Sequence, residues 1–265
     1  MENKINFKFK GDKIDEFKSV ISDLGKINKK MKMKLDDDNF ILYSVATVGE
    51  GASSNPTVVA LKSYSFRNDH FLDLQKYDED EEESVQIDWV IGNSSVLTKK
   101  MSFLRGDVDI KGRFDLRKVN ELNYALNVNI SDGKFKFSLV GDDHTEVRNM
   151  TLDQLNQITD KSLSVVSFKI PTEEFISARS ASNIDGDEIV SIELKNNKVY
   201  FKQDNWELLV GQCVFEGSKK ISFNKKYLKS INPKLDTIEF TIFNTFLLTK
   251  ENDQIFMISY EQNFG

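Results

Sequence analysis

The feature that most constrains this chain is the repeated order of its predicted elements. From Ser167 onward, apolar and polar residues alternate in segments that indicate a strand, a helix and three strands, and the same order returns over Lys219–Glu261. The first half begins similarly, with a strand at 5–10, a helix at 12–29 and strands at 31–36, 39–46 and 57–66. We therefore predict four copies of one βαβββ unit, two in each half.

Helices are predicted where apolar residues recur every three or four positions. Asp12 is a suitable N-cap for the first helix. The third is predicted at Pro171–Ile184 and the short fourth at Lys225–Ile231. Phe175, Ala178 and Ser182 form the inward face of the third helix. The second is placed at Asp115, with an apolar face formed by Leu116, Val119, Leu122 and Leu126.

Residues 67–105 interrupt this pattern. They include the acidic run Asp78–Glu83, a strand-like segment Val85–Ile91 and a possible helix, Ser94–Leu104. We interpret them as an insertion. The alternative is that Ser94–Leu104 is itself the second helix of the first half, which would shift the register of that half. The predicted division is an N-terminal domain, a polar linker and a C-terminal domain, at residues 1–140, 141–166 and 167–265.

The composition indicates in which compartment of the cell the protein is expected. The chain has 265 residues, with 42 acidic against 36 basic ones and a net charge of −6, which taken alone argues against a nucleic-acid partner. Its single cysteine, Cys213, excludes an internal disulfide framework. No apolar run reaches the roughly 18–20 residues of a membrane-spanning helix, and the N-terminus lacks the apolar core of a signal peptide. We expect a cytoplasmic protein, in the host cytoplasm if it is viral, with no membrane partner.

The residue patterns of catalytic sites are weak in this chain. The segment Gly49–Pro56 has the glycines of a phosphate loop, but no Gly-Lys-Ser/Thr follows. The run Asp78–Glu83 lacks the spacing and the glycine of an EF-hand loop. His70 and His144 have no nearby cysteine with which to bind zinc, and Cys213 lies in a strand pattern that favours a core position. We predict that the chain is not an enzyme and has no cofactor and no metal site.

Basic residues are unevenly placed on the predicted helices. Lys226 and Lys229 point away from the apolar face of the fourth helix, with Lys225 to one side, because successive helix residues turn by about 100°. The ordinary explanation of each such residue is a solvated helix face, and the alternative is a cationic surface. The other candidates are Arg179 on the third helix, Arg117 and Lys118 on the second, and Lys26, Lys29 and Lys30 at the end of the first.

Four βαβββ units in two halves, with cationic helices in an acidic chain, resemble the DNA sliding clamps. The likeness is closest to the clamps of T4-like bacteriophages, with the proliferating cell nuclear antigen family further off. It is strongest over Ser167–Phe201, continues through Ile221–Phe243 to the last strand, and is weaker over Asp107–Leu126. The segment 67–105 departs from the compact phage clamp. The resemblance implies an α+β DNA-clamp fold of two domains, with antiparallel sheets outside and helices lining a ring.

The resemblance also implies a function. Three two-domain subunits of such clamps form a ring, and cationic helix faces contact phosphates without reading bases. The chain is therefore expected to be a homotrimeric processivity factor that encircles double-stranded DNA, tethers the replicative DNA polymerase and is loaded by a clamp-loader ATPase. The expected DNA-facing residues are Lys225, Lys226, Lys229, Arg179, Arg117, Lys118, Lys26, Lys29 and Lys30.

Clamps of this kind bind their protein partners in an apolar groove near the linker and the last strand. By position, the resemblance implies a groove that includes Met150, Leu152 and Leu155 in the linker, with Ile258 and Tyr260 near the C-terminus. The alternative, for Ile258 above all, is a place in the hydrophobic core.

Two other functions stay open on the sequence alone. One is a β-rich viral structural or scaffold protein that does not bind DNA, and the other is a processivity factor of the same fold that acts as a monomer. The net charge does not separate them. Acidic residues are concentrated in the run Asp78–Glu83, in turns and on strand faces that would lie outside a ring. A charge of −6 is therefore compatible with encircling DNA.

Overall fold

The structure is a computed structural model, and it describes residues 3–48, 57–75, 86–119, 122–184 and 186–260. The loop Gly49–Pro56 and the acidic run Asp78–Glu83 lie outside the described residues. The chain forms two compact units. The first unit consists of Met1–Val45 and Ser63–Asn149, and the second of Ala46–Lys62 and Met150–Gly265.

Strands with alternating apolar residues build the sheet of the first unit. They are β1 (Asn3–Phe9), β2 (Met31–Leu35), β3 (Asn39–Val48), β4 (Thr57–Arg67), β5 (Leu72–Gln75), β6 (Ile87–Ile91), β7 (Ile110–Val119), β8 (Leu122–Ser131) and β9 (Lys136–Val140). β1 pairs with β5 and β7, and β8 pairs with β7 and β9. The start of β8 runs parallel to β6, which pairs with β2, and β2 pairs with β3. β3 and β4 each have their two ends in different units.

The described part of the first unit contains two α-helices, α1 (Ile14–Leu24) and α2 (Ser94–Met101), which pack against each other. Asn93 caps α2, because its side chain accepts hydrogen bonds from the first turn. The apolar spacing predicted for the first helix is confirmed by the burial of Ile14, Phe17, Ile21 and Leu24.

The prediction of a helix that begins at Asp115 is wrong. The residues around it form β7 and β8, which pair with each other. Ile110, Phe114 and Leu116 alternate with polar residues and are buried, whereas Leu126, assigned to the apolar helix face, is 38% exposed. Period-two alternation over the ten residues of β7 therefore outweighs the helical spacing of a few leucines.

The structure also corrects the interpretation of residues 67–105 as an insertion. β5 pairs with β1, and β6 pairs with both β2 and β8, with all five of its residues buried. The helix α2 is the second helix of the first unit. The alternative assignment of Ser94–Leu104 is therefore the correct one, and the register of the first half shifts accordingly.

β2 and β6 bring two opposite charges into the interior of the first unit. Lys32 Nζ lies 3.0 Å from Asp88 Oδ2, and the two side chains are 1% and 6% exposed. The same ammonium donates to Asn149 Oδ1 at 3.2 Å and lies 5.8 Å from the centre of the Tyr124 ring. Burial lowers the pKa of Lys32, and the Asp88 carboxylate opposes that lowering. Lys32 is therefore a buried cation that Asp88 compensates.

The second unit confirms the predicted repeat of strands and helices. Its strands are β10 (Val166–Pro171), β11 (Ile189–Lys195), β12 (Lys198–Gln203), β13 (Trp206–Gln212), β14 (Ser218–Asn224), β15 (Thr237–Ile242), β16 (Phe246–Glu251) and β17 (Gln254–Ser259). One sheet has the order β13, β12, β11, β14, and β10, β15, β16 and β17 are neighbours in that order in another. The predicted linker contains α3 (Leu152–Ile158).

One helix follows the first strand of each copy in the second unit. α4 (Thr172–Ala181) follows β10, and a short 3-10 helix, Lys225–Ser230, follows β14. The inward face predicted for α4 is confirmed, since Phe175, Ala178 and Ser182 are at most 1% exposed. The ring centre of Phe175 lies 5.9 Å from that of Phe240 on β15, so aromatic packing fixes α4 on the sheet.

The turn between β8 and β9 is held by one carboxylate. Asp132 Oδ1 accepts hydrogen bonds from the backbone N–H groups of Lys134 and Phe135 at 2.8 and 2.7 Å. Its Oδ2 accepts from the N–H of Arg105 at 3.0 Å. These donors, Phe135 foremost, hold the pKa of Asp132 at about 2, below its usual value, because they stabilise the charged form.

We expect Asp132→Asn to lower the free energy of unfolding at neutral pH. A carboxylate whose pKa is depressed by folding contributes stability above its unfolded pKa, and that contribution disappears as the pH falls through the folded pKa. The difference from the natural chain should therefore shrink between about pH 5 and pH 2. Urea unfolding at several pH values measures it, with Asp109→Asn, at an exposed position, as the control. A difference that does not change with pH would contradict this role of the charge.

Candidate nucleic-acid interface

A polar groove runs between α1 and α2 on the first unit and has a volume of about 400 Å³. The two helices approach closely because Gly25 has no side chain, and an added Cβ would lie 2.7 Å from Ser94 Oγ. The N–H of Ser94 donates to the Lys29 carbonyl at 2.9 Å, which fixes the start of α2 to the segment after α1. The lining includes no carboxylate and consists of Ser22, Gly25, Lys26, Lys29, Ser94, Ser95, Thr98, Lys99 and Ser102. We call it the α1–α2 groove.

Three lysines line the α1–α2 groove, and two of them, Lys26 and Lys29, are residues that the sequence predicted to face DNA. Lys29 and Lys99 are exposed, and neither ammonium forms an ion pair with a described residue. Lys26 Nζ lies 3.0 Å from Oδ1 of the buried Asp23, whose other oxygen accepts a hydrogen bond from Tyr64 at 2.5 Å. Lys29 and Lys99 therefore supply the uncompensated charge of the groove.

Lys99 is a site residue that the sequence reasoning missed. The sequence prediction treats Ser94–Leu104 as part of an insertion, and it therefore does not group Lys99 with the cations of the other helices. The signal that could have found it is Asn93, an N-cap residue directly before a helical pattern.

Lys30 does not belong to the groove. Its ammonium lies 2.8 Å from Glu146 Oε2 and 3.2 Å from Asp142 Oδ2. The hydrogen bond to Glu146, followed by that to Asp142, raises the pKa of Lys30. Its charge is therefore compensated by the segment that follows β9, a pairing across more than a hundred residues that the local sequence did not indicate.

Arg117 and Lys118 do not belong to the groove either. Both are exposed at the end of β7, where they lie opposite Tyr124 and Asn123 of β8. They were predicted to lie on a helix, and the correction of that helix removes the reason for grouping them with the helical cations.

In the second unit, the three predicted lysines lie on the 3-10 helix Lys225–Ser230. Lys229 is exposed, and Lys225 is half-buried. Lys226 is exposed and its ammonium lies 4.8 Å from the centre of the Tyr227 ring, an arrangement that favours a cation. This helix therefore presents at least two exposed positive charges.

Arg179, the predicted cation of α4, has a structural contact. Its Nη1 donates to the carbonyl of Ile231 at 3.0 Å, and its guanidinium lies 5.6 Å from the centre of the Phe175 ring. Arg179 thus connects α4 to the end of the 3-10 helix and keeps only part of its hydrogen-bonding capacity for another molecule.

The residues predicted to form a partner groove are mostly core residues in this structure. Met150, Leu155 and Ile258 are 8%, 2% and 1% exposed. The side chain of Leu152 lies outside the described part of the chain. Tyr260 is half-buried and donates to the carbonyl of Phe243, and burial raises its pKa to about 12. None of the four side chains that the structure describes lines the α1–α2 groove.

The described residues were also compared with the requirements of a metal site and of a membrane-spanning helix. Among the described residues, no group of three or more His, Cys, Asp or Glu side chains is placed to hold a metal ion. His70, one of the two histidines, lies 2.8 Å from Glu16 Oε1 through its Nε2. Within the same ranges, no helix has the length and apolar character that crossing a membrane requires.

Comparison with known proteins gives no sequence-level match. No family model matches the chain, and no similar sequence was found among curated proteins. Several solved structures, in contrast, resemble this chain in fold. The proliferating cellular nuclear antigen of Entamoeba histolytica has a TM-score of 0.61 at 19% identity, and the likeness covers 97% of this chain and 99% of that one.

Bacterial clamps are similar as well. The Helicobacter pylori beta clamp, solved with a DNA ligase peptide, gives a TM-score of 0.64 at 11% identity over 99% of this chain and 67% of that one. The beta chain of DNA polymerase III from Streptococcus pneumoniae gives a TM-score of 0.63 at 12% identity. The likeness covers 98% of this chain and 66% of that one. The special likeness to phage clamps stays a prediction. The chain has the fold of the DNA sliding clamps.

Proposed function

We propose that this chain is a sliding clamp, a non-catalytic processivity factor that encircles double-stranded DNA and tethers a replicative DNA polymerase. The observation that supports it most directly is the α1–α2 groove, which combines lysines and hydroxyl groups with no carboxylate in its lining. The fold shared with sliding clamps supports the same function. Its further partners in this proposal are a clamp-loader ATPase and two other copies of the chain.

The chemistry of the groove suits a sequence-independent contact with DNA. Lysine ammonium and serine or threonine hydroxyl groups bind phosphate oxygens, which fixes position on the duplex without reading bases. Each phosphate neutralised releases counterions, so binding falls as salt rises. A ring closed around DNA is retained by its topology, and a few exposed lysines such as Lys29, Lys99 and Lys229 therefore suffice.

The proposed ring needs a free strand edge, and β9 has one in the first unit. In the described residues β9 pairs only with β8. The N–H of Gly141 donates to Leu126, and Ser138 lies opposite Asn129. In this antiparallel register, Ser138 is in a non-hydrogen-bonded pair, so its N–H and C=O point away from β8. Val140, also in such a pair, is 77% exposed. The edge is available to another strand.

β13 has the matching edge in the second unit. Among the described residues it pairs only with β12, and its Leu209 is 47% exposed. We propose that β9 of one copy pairs with β13 of the next. Such a head-to-tail contact generates a ring when its rotation closes. The number of three copies comes from the resemblance to two-domain clamps.

Charge reversal in the α1–α2 groove tests DNA binding. We expect Lys26→Glu, Lys29→Glu and Lys99→Glu together to weaken binding of a fluorescein-labelled duplex by at least about tenfold near 50 mM salt, since repulsion replaces phosphate contacts. The slope of log affinity against log salt should become shallower by about 0.9 for each lysine that contacts a phosphate. Fluorescence anisotropy over a salt series measures both.

The matched control reverses three exposed lysines of hairpin turns and strand ends, Lys134, Lys195 and Lys198. It makes the same change in net charge outside the groove and should leave the salt slope nearly unchanged. An equal loss in both triple variants would contradict the groove assignment. Absence of salt-dependent binding by the natural chain would instead favour a structural protein that does not bind DNA.

A further inference from the structure

A second, larger groove lies on the second unit, beside β14, and has a volume of about 1090 Å³. One side is formed by β14 and the start of β11, and the other includes the end of β17. Lys220, Ser222 and Asn224 of β14 all line it. We call it the β14 groove. It shares no lining residue with the α1–α2 groove.

The backbone of β14 is free on the side away from β11. In the part of the chain that the structure describes, β14 pairs only with β11. The N–H of Lys225 donates to the Glu188 carbonyl at 2.7 Å, which makes that opposed pair a hydrogen-bonded one. Hydrogen-bonded and non-hydrogen-bonded pairs alternate along this register, so Phe223 and Ile221 are in hydrogen-bonded pairs and Ser222, opposite Ser191, is in a non-hydrogen-bonded one. Its N–H and C=O therefore point to the free edge.

The same parity applies to Lys220 and Asn224. Both are in non-hydrogen-bonded pairs with β11, so the N–H and C=O of Lys220 and the N–H of Asn224 also point away from it, whereas the C=O of Asn224, the N-cap of the 3-10 helix, begins that helix. The three β14 residues with outward backbone groups are thus residues that line the groove. A strand edge of this kind is a template for an extended peptide, which adds to the sheet through main-chain hydrogen bonds.

Apolar side chains lie beside this edge. Ile189 is 51% exposed, although it lies in the sheet, and it lines the groove with Trp206 and Tyr260. The indole of Trp206 is held in place, because its Nε1 donates to Gln203 Oε1 at 2.9 Å. A half-exposed isoleucine next to fixed aromatic rings favours contact with alternate apolar side chains of an added strand.

The groove also has uncompensated negative charge. Asp187, Glu188 and Asp204 line it, and none forms an ion pair with another described residue. Three lysines also line the groove. Lys202 is paired with Glu193, and the two others, Lys220 and the exposed Lys226, leave the three unpaired carboxylates in excess. Charge complementarity therefore favours a basic occupant over an acidic one.

We propose that the β14 groove binds an extended, basic peptide segment of a partner protein by strand addition to β14. Backbone groups of Lys220 and Ser222, with the N–H of Asn224, form the main-chain hydrogen bonds. Apolar side chains of the peptide pack on Ile189, and its lysine or arginine residues face the three carboxylates. This site requires neither DNA nor a ring, so it goes beyond the proposed function and can fail independently of it.

The test uses the full chain and a fluorescein-labelled peptide of six alternating valine and threonine residues followed by Lys-Arg. Ser222→Pro removes the outward N–H and leaves the ladder with β11 intact, because proline is tolerated where the N–H of an edge strand is free. We expect it to weaken binding by about tenfold, the effect of one unmade main-chain hydrogen bond. The matched control, Ser222→Ala, keeps the N–H and should bind like the natural chain.

Two further measurements test the proposed peptide binding without relying on the Ser222→Pro variant. A peptide N-methylated at alternate residues should bind the natural chain more weakly, which tests main-chain pairing even if Ser222→Pro fails to fold. Glu188→Gln with Asp204→Asn should weaken the basic peptide but not one that ends in Gln-Gln. Binding of labelled duplex DNA should be unchanged in every variant. Absence of peptide binding by the natural chain, or equal binding of a peptide ending in Glu-Glu, would overturn the proposal.

Discussion

Replacing Asp88 with leucine should lower the free energy of unfolding by about 3–5 kcal/mol, the usual cost of leaving a buried charge without its partner. Lys32, at 1% exposure, cannot reach water from its place between β2 and β6. Its remaining polar contact, Asn149, is neutral and does not replace the carboxylate. The melting temperature should fall on the order of 10 °C. Urea and thermal unfolding of the two proteins measure both quantities.

The pH dependence identifies the cause of this loss. Without Asp88, the pKa of Lys32 should fall further, because burial then acts without the opposing carboxylate. A base whose pKa is lowered by folding costs stability below its folded pKa, and the cost disappears as the pH rises past its unfolded pKa. The deficit of Asp88→Leu should therefore be full at low pH and shrink as the pH rises towards the unfolded pKa of lysine, about 10.

The control for Asp88→Leu removes both charges. Lys32→Met combined with Asp88→Leu should recover most of the lost stability, since an apolar pair of similar volume needs no compensation. A double variant as unstable as the single one would show that packing, rather than the unpaired ammonium, explains the loss.

Ser138→Pro should convert the proposed trimer to a monomer. The substitution removes the outward N–H of β9 and leaves the β8–β9 ladder intact, because Ser138 is in a non-hydrogen-bonded pair. The proline ring also projects towards the edge where the strand of the next copy would pair. Since three interfaces are lost together, we expect assembly to shift by at least about a hundredfold in concentration. Mass photometry over a dilution series measures it.

Two variants serve as controls for the edge. Ser138→Ala keeps the N–H and should assemble normally. Lys100 Nζ donates to the outward Ser138 carbonyl at 2.9 Å and must leave it before a strand can pair there, so Lys100→Met should assemble at least as well as the natural chain. A natural chain that stays monomeric at all concentrations would favour the monomeric processivity factor. A trimer that persists in Ser138→Pro would show that β9 is not the interface.

The sequence predicted the second half of the fold better than the first for a physical reason. In the second unit the meanders β11–β12–β13 and β15–β16–β17 pair strands that are adjacent in sequence, so local alternation and turn residues such as Asn196 and Asn197, both at positive φ, specify much of the order. In the first unit, β6 pairs with β2 and β8, and no local signal indicates such distant partners. The local pattern of this strand therefore predicts an insertion rather than a central strand.

The candidate site was predicted only in part for a related reason. Helical spacing shows which lysines face away from the core, and Lys229, predicted in this way, is exposed, as is Lys29, predicted at the end of the first helix. It does not show which distant carboxylates approach them, as Asp142 and Glu146 approach Lys30. The roles of Ser138 and Ser222 depend on the direction of their backbone N–H groups. That direction follows from the register of the strand pairing and cannot be inferred from the amino-acid composition.

The pairing of β1 has a consequence for synthesis on the ribosome. The partners of β1 are β5 and β7, and Phe9 pairs with Leu72 on one side and Ile110 on the other. β1 therefore cannot form both of its pairings until about a hundred further residues have been synthesised, which takes several seconds at roughly 5–20 residues per second. During that interval its alternating phenylalanines lack their native cover. Folding of the first unit should be slow and dominated by non-local contacts, and the nascent chain is then most exposed to aggregation.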